Sequence, residues 1–71
     1  MNNVWILSEG ERYGGEQVLA VYGTSEAAMN ALVDIMKHSG NEDMKLREDG
    51  DVAIVEDYVF YSIVRPHGVL S

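Results

Sequence analysis

Short β-favouring apolar runs alternate with polar, glycine-marked turns along most of this chain, and one stretch breaks the rhythm with apolar residues every three to four positions. Val4-Trp5-Ile6-Leu7 is the first run. Ser8 to Gly15 follows with Gly10, Gly14 and Gly15, the composition of a loop with a mobile tip. Gln17 to Tyr22 resumes the strand pattern up to Gly23, so the two runs predict a hairpin with a long connection. Thr24-Ser25-Glu26 then supplies a hydroxyl cap and a first-turn acid, both of which favour a helix N-terminus. Ala28, Ala31, Leu32, Ile35 and Met36 fall on one side of that helix, with Glu26, Asn30, Asp34 and Lys37 largely on the other. Lys37 and His38 suit the negative C-terminal pole, and Gly40 can take the left-handed conformation that closes a helix, which puts the element at about 25–38.

Beyond the polar connector Asn41-Glu42-Asp43, Met44-Lys45-Leu46-Arg47 alternates as a half-buried strand does. Asp49-Gly50 is a favoured pair for a type I′ turn, which would return Val52 to Val55 antiparallel to it. Glu56-Asp57 marks another turn, and Tyr58 to Val64 is the most β-prone segment. Pro66 lacks a ladder donor and is expected to end that strand, leaving 66–71 as a loose tail. The fold class expected is therefore α+β: an antiparallel sheet of four to five strands with one helix on one face, in the order β-β-α-β-β-β, forming one domain over 1–71. The second sheet face then has no helix, and alternating Tyr and Val side chains of the last strand could make it apolar enough to bury against another copy, so a homodimer stays open.

Composition sharpens this picture. A chain of 71 residues buries only about 60% of its unfolded surface, so the core is small. With no cysteine, no disulfide or thiolate metal site can compensate, and a reducing compartment is compatible. The start of the chain lacks the basic residues and apolar run of a secretion signal, and its apolar runs are far short of the roughly 20 residues that span a bilayer. The expectation is a cytoplasmic protein without membrane contact, in the host cytoplasm if the chain is phage-encoded. Twelve acids against five basic residues give a net charge of −7, which repels nucleic acid, attracts basic protein surfaces and favours solubility. At 46% hydrophobic the chain is too apolar for a disordered acidic tail.

Candidate chemistry is thin. His38 and His67 have no HxxxH or HxH partner, and Asp49-Gly50-Asp51 lacks the spacing and bidentate Glu of a calcium loop, so no metal or other cofactor is expected. Ser62 and Ser8 have no base in their sequence context, and the glycines near 10–15 sit among Glu9, Glu11 and Glu16, which would repel a phosphate. Trp5 and Tyr22 fit a sheet core better than a base-stacking platform, since no basic groove accompanies them. The reading is a non-enzymatic protein. In the topology above, however, three loops distant in sequence meet at one end and deliver Glu9, Glu11, Glu16, Glu42, Asp43, Glu56 and Asp57 there, against Arg12, Lys37 and His38. Glu26, Glu48, Asp49 and Asp51 form a smaller group at the other end. Seven carboxylates at the negative helix pole could imitate DNA phosphates toward a basic partner, although acids also collect in turns simply because turns are solvated.

The segments Val4-Trp5-Ile6-Leu7-Ser8-Glu9 and Val18-Leu19-Ala20-Val21-Tyr22-Gly23-Thr24-Ser25-Glu26-Ala27-Ala28 resemble the hairpin-into-helix opening of small acidic phage proteins, over about 28 residues. Host-takeover and anti-defence proteins of that kind include DNA mimics, and inhibitors of the histone-like nucleoid protein HU are near this chain in size and charge. The resemblance implies a protein that binds and inhibits a basic nucleic-acid-binding host protein. It transfers no individual residue. The alternative is an adaptor module that recruits a protein through an apolar sheet face or edge strand.

Overall fold

The computed structural model describes residues 2–40 and 43–69. It has β1 (Asn2–Glu11), β2 (Glu16–Tyr22), α1 (Ser25–His38), β3 (Lys45–Asp49), β4 (Val52–Glu56) and β5 (Phe60–Val69). The expected α+β order is therefore present. All pairings are antiparallel and the sheet runs β2-β1-β5-β4-β3, so the two ten-residue strands β1 and β5 lie side by side at its centre.

Helix α1 begins and ends where its signals stand. The Thr24 hydroxyl accepts a hydrogen bond from the Ala27 N–H at 3.1 Å, and Gly40, just past the end, has φ of +66°. The helix lays Ala28 and Leu32, both fully buried, onto Leu7, Ala53, Val55 and Val64 of the sheet. Ala28 and Ala53 end at Cβ, which lets helix and sheet approach closely around Leu32. Met29, Ala31, Ile35 and Met36 flank this centre on the helix, with Trp5, Tyr22 and Met44 opposite, so Trp5 and Tyr22 pack on the core as expected. Met29, three residues before Leu32 and seven before Met36, also belongs to the helix's packed face.

Three expectations about the strands need correction. The first is the long β1–β2 connection: Ser8 to Glu11 continues β1, because Ser8, Glu9 and Gly10 are paired to both β2 and β5 and Glu11 to β5, and only a four-residue turn remains. That turn is closed by Gly14 N–H to the Glu11 carbonyl at 3.1 Å and Glu11 N–H to the Gly15 carbonyl at 3.4 Å. The second is the β3–β4 turn. Asp49 pairs with Val52, so the two loop residues are Gly50 and Asp51; Gly50 alone has positive φ, +61°, and no described residue other than glycine does. A type I′ turn needs positive φ at both loop positions, whereas glycine first and a negative φ second is the II′ pattern. The third is the tail. Pro66, His67 and Gly68 pair with Trp5, Val4 and Asn3, so β5 runs on to Val69 and 66–69 is strand; residues 70 and 71 lie outside the described residues. Pro66 is tolerated because β4 pairs with β5 only as far as Val64, which leaves one side of β5 without a neighbouring strand from that point.

The face away from the helix stays uncovered. Register places Val4, Ile6, Val18, Val21, Ile54 and Ile63 on it. Ile63 is nevertheless buried, enclosed by its cross-strand neighbours Ser8 and Ile54 and their surroundings. Both edges are blunted: β3 reads Lys-Leu-Arg-Glu-Asp and is exposed throughout, and β2 carries an irregularity at Leu19, which the pairing skips between Ala20 and Val18.

Candidate interaction surface at the hairpin end

The β1–β2 turn, the β4–β5 turn and the stretch after α1 meet at one end of the sheet, as the antiparallel topology requires. The two turns are tied together. Arg12 N–H donates to the Val59 carbonyl at 2.7 Å, and the Arg12 guanidinium donates to the Asp57 carbonyl at 3.4 Å. Between them and the C-terminal part of α1 lies an open depression of about 860 Å³ bordered by Glu9, Glu11, Glu16 and Asp57, with Ile35 and Met44 at its apolar side.

Four of the seven expected acids thus border one depression, but their carboxylates do different things, and that of Glu16 turns away to the other face of the sheet. Glu9 accepts a hydrogen bond from the Gln17 amide at 2.9 Å across the β1–β2 pair. Glu11 is exposed at the strand end. Asp57 is a turn former: one carboxylate oxygen accepts from Val59 N–H at 2.8 Å and Phe60 N–H at 2.7 Å. Glu16 reaches across the uncovered face, where the Arg65 guanidinium donates to it at 2.9 Å and the Tyr61 hydroxyl at 3.2 Å. That arrangement needs Gly10: a Cβ there would stand 2.6 Å from the Tyr61 hydroxyl and 2.9 Å from the Gly15 carbonyl. The Arg65 hydrogen bond holds the Glu16 carboxyl below its usual range against an opposing push from desolvation, and desolvation followed by the bond to Glu16 raises the Tyr61 phenol. Glu56 lies on the uncovered face with Arg47 at 3.7 Å. Asp43 is exposed in the connector at the same end, and Glu42 lies outside the described residues. Arg47 and Arg65 therefore reach two of the acids, although the sequence order gave no hint that either would.

The same end exposes large apolar side chains. Tyr13 at the β1–β2 tip is 96% exposed and Tyr58 in the β4–β5 turn 82%, with Val59 and Phe60 about half exposed beside it. Tyr58 and Val59 were expected inside the last strand. Asp57 instead holds them in a turn, and the signal available was the Asp at the first position of an Asx turn. Among the described residues no three His, Asp or Glu side chains converge in a way that could hold a metal ion, and no helix is long and apolar enough to cross a membrane. What the fold and this end define is a small α+β domain with an acidic, aromatic-tipped surface. Protein-family models, curated proteins and solved structures offer no match to the chain.

Proposed function

We propose that this protein is a non-enzymatic binding protein whose hairpin end engages a basic nucleic-acid-binding protein and competes with nucleic acid for it. The observation that carries this reading is the convergence, at one end, of Glu9, Glu11 and Asp57 around a depression, with the exposed rings of Tyr13 and Tyr58 on the two adjoining turns. Solvated turns account for acids, but they do not account for exposed tyrosines, which are a typical anchor of protein interfaces. Carboxylates supply attraction and orientation toward a basic surface, and the rings supply area that excludes water around them. Glu9 and Glu11 are the acids best suited to meet a partner, since Glu16 and Glu56 are reached by arginines and Asp57 holds its own turn.

The test is displacement of a labelled DNA duplex from a purified histone-like nucleoid protein, followed by fluorescence anisotropy at about 50 to 200 mM salt, a range over which electrostatic binding falls steeply. The protein should release the duplex without binding DNA itself. A variant with Glu9→Gln, Glu11→Gln and Tyr58→Ala should lose competition at least tenfold, whereas Glu48→Gln with Asp51→Asn at the opposite end should not. Failure to displace at the low-salt limit, or loss in the second variant alone, overturns the assignment.

A further inference from the structure

The uncovered face of the sheet differs in charge from the rest of the molecule. Of the chain's twelve acids and five basic residues, register puts Glu16, Asp49 and Glu56 and also Lys45, Arg47 and Arg65 on this face. Three of each cancel, which leaves eight acids against two cations among the other described residues, so the negative excess lies off this face. Two of the cancelling pairs are already formed, Arg65 with Glu16 at 2.9 Å and Arg47 with Glu56 at 3.7 Å. Between these paired groups lie β-branched aliphatics: Val18 and Val21 are about 60% exposed on β2, and Val4, Ile6 and Ile54 are half-buried. The pattern is an apolar centre with a polar, electrically balanced border.

We infer that this face is where two copies of the chain pack together, sheet against sheet. Two bodies each carrying −7 repel, and they repel least when they meet on the surface that carries no net charge, which is this face. A basic partner would find more attraction at the acidic end, and nucleic acid would find no excess of positive charge here. The amount of exposed surface agrees. A monomer of 7.9 kDa should expose about 4,400 Å² by the usual scaling, whereas this chain exposes 5,039 Å², a surplus of roughly 600 Å² against the ~800 Å² that each partner gives to a standard interface.

Sedimentation equilibrium from 1 to 100 µM tests this. The wild-type chain should run at twice 7.9 kDa in the upper part of that range. Val18→Glu on edge strand β2 and Ile54→Glu on inner strand β4 should each weaken the dimer at least tenfold, with far-UV circular dichroism unchanged in Val18→Glu because that side chain is 61% exposed. A monomer at 100 µM overturns the inference, as does a dimer that survives both substitutions. Weakening by Val18→Glu but not by Ile54→Glu assigns the contact to the β2 edge and overturns it as well.

Discussion

Replacing Leu32 by alanine tests the core, because that residue is fully buried between the helix and the middle of the sheet. Its neighbours Ala28 and Ala53 have only a methyl group, too short to fill the space, so the gap cannot close without moving the helix. A Leu→Ala change in such a site costs about 3 kcal/mol. Against the roughly 4 to 10 kcal/mol expected of a domain this size, that is a large fraction of the total. The melting temperature should fall by roughly 12 to 24 °C. Ile35 is only half-buried and lines the open depression, where water can replace it, so Ile35→Ala should cost about 1 to 2 kcal/mol. Asp34 is exposed and should respond by less than about 0.5 kcal/mol when changed to alanine. Urea unfolding followed by circular dichroism gives all three values at constant m. Were Leu32→Ala no worse than Ile35→Ala, the helix would be seated with another face on the sheet.

Two further outcomes probe the uncovered face at its acidic end. Gly10→Ala should destabilise by about 1 to 3 kcal/mol, since moving the Tyr61 ring relieves one close contact but leaves the 2.9 Å approach to the Gly15 carbonyl; a variant as stable as wild type in urea would mean that Tyr61 does not lie across β1. Glu16→Gln should cost less than about 1 kcal/mol at neutral pH, as befits a pair so exposed. Because the Glu16 carboxyl titrates lower in the fold than in the unfolded chain, its contribution is present above the unfolded value of 4.5 and disappears as pH falls through the lower folded value. The gap between wild type and variant in urea midpoints should thus close on acidification below 4.5, and a gap that widened there would contradict the Arg65 pairing.

How far the residues announced the fold differs from element to element. The helix was legible to the residue at both ends, since its cap, periodicity and terminal glycine all act locally. The strands were legible as elements but short by several residues wherever their ends were polar. Ser8 to Glu11 reads as loop in isolation and becomes strand because β5 lies alongside, a pairing between segments some fifty residues apart that no local pattern carries. Pro66 misled for the same reason: whether a missing donor matters depends on whether a strand lies beside it. At the acidic end, the meeting of the three loops followed from topology alone and could be foreseen. The arginine that reaches Glu16 could not, because Arg65 on β5 crosses the intervening β1 to reach its partner on β2. The exposure of Tyr58 was hidden by its β propensity, which the Asp57 turn overrides, whereas Tyr13 stood in the expected loop.

The two proposed surfaces should respond to salt in opposite directions, and this separates them without any mutation. Dimerisation through the uncovered face brings together two chains of charge −7 whose contact is neutral, so the long-range term is repulsive. Added salt shortens the reach of that repulsion from about 10 Å at 0.1 M to about 3 Å at 1 M. The apolar centre of the face loses nothing in the process, and the dimer should tighten as salt rises. Binding of a basic partner at the hairpin end draws on attraction between opposite charges and should weaken over the same range. Measured by sedimentation for the dimer and by anisotropy for the competition, the two equilibria should cross. If both weaken with salt, the dimer is held by ion pairs between copies and the apolar centre is not its source of affinity; if neither responds, charge governs neither surface and the tyrosines of the hairpin end carry the partner alone.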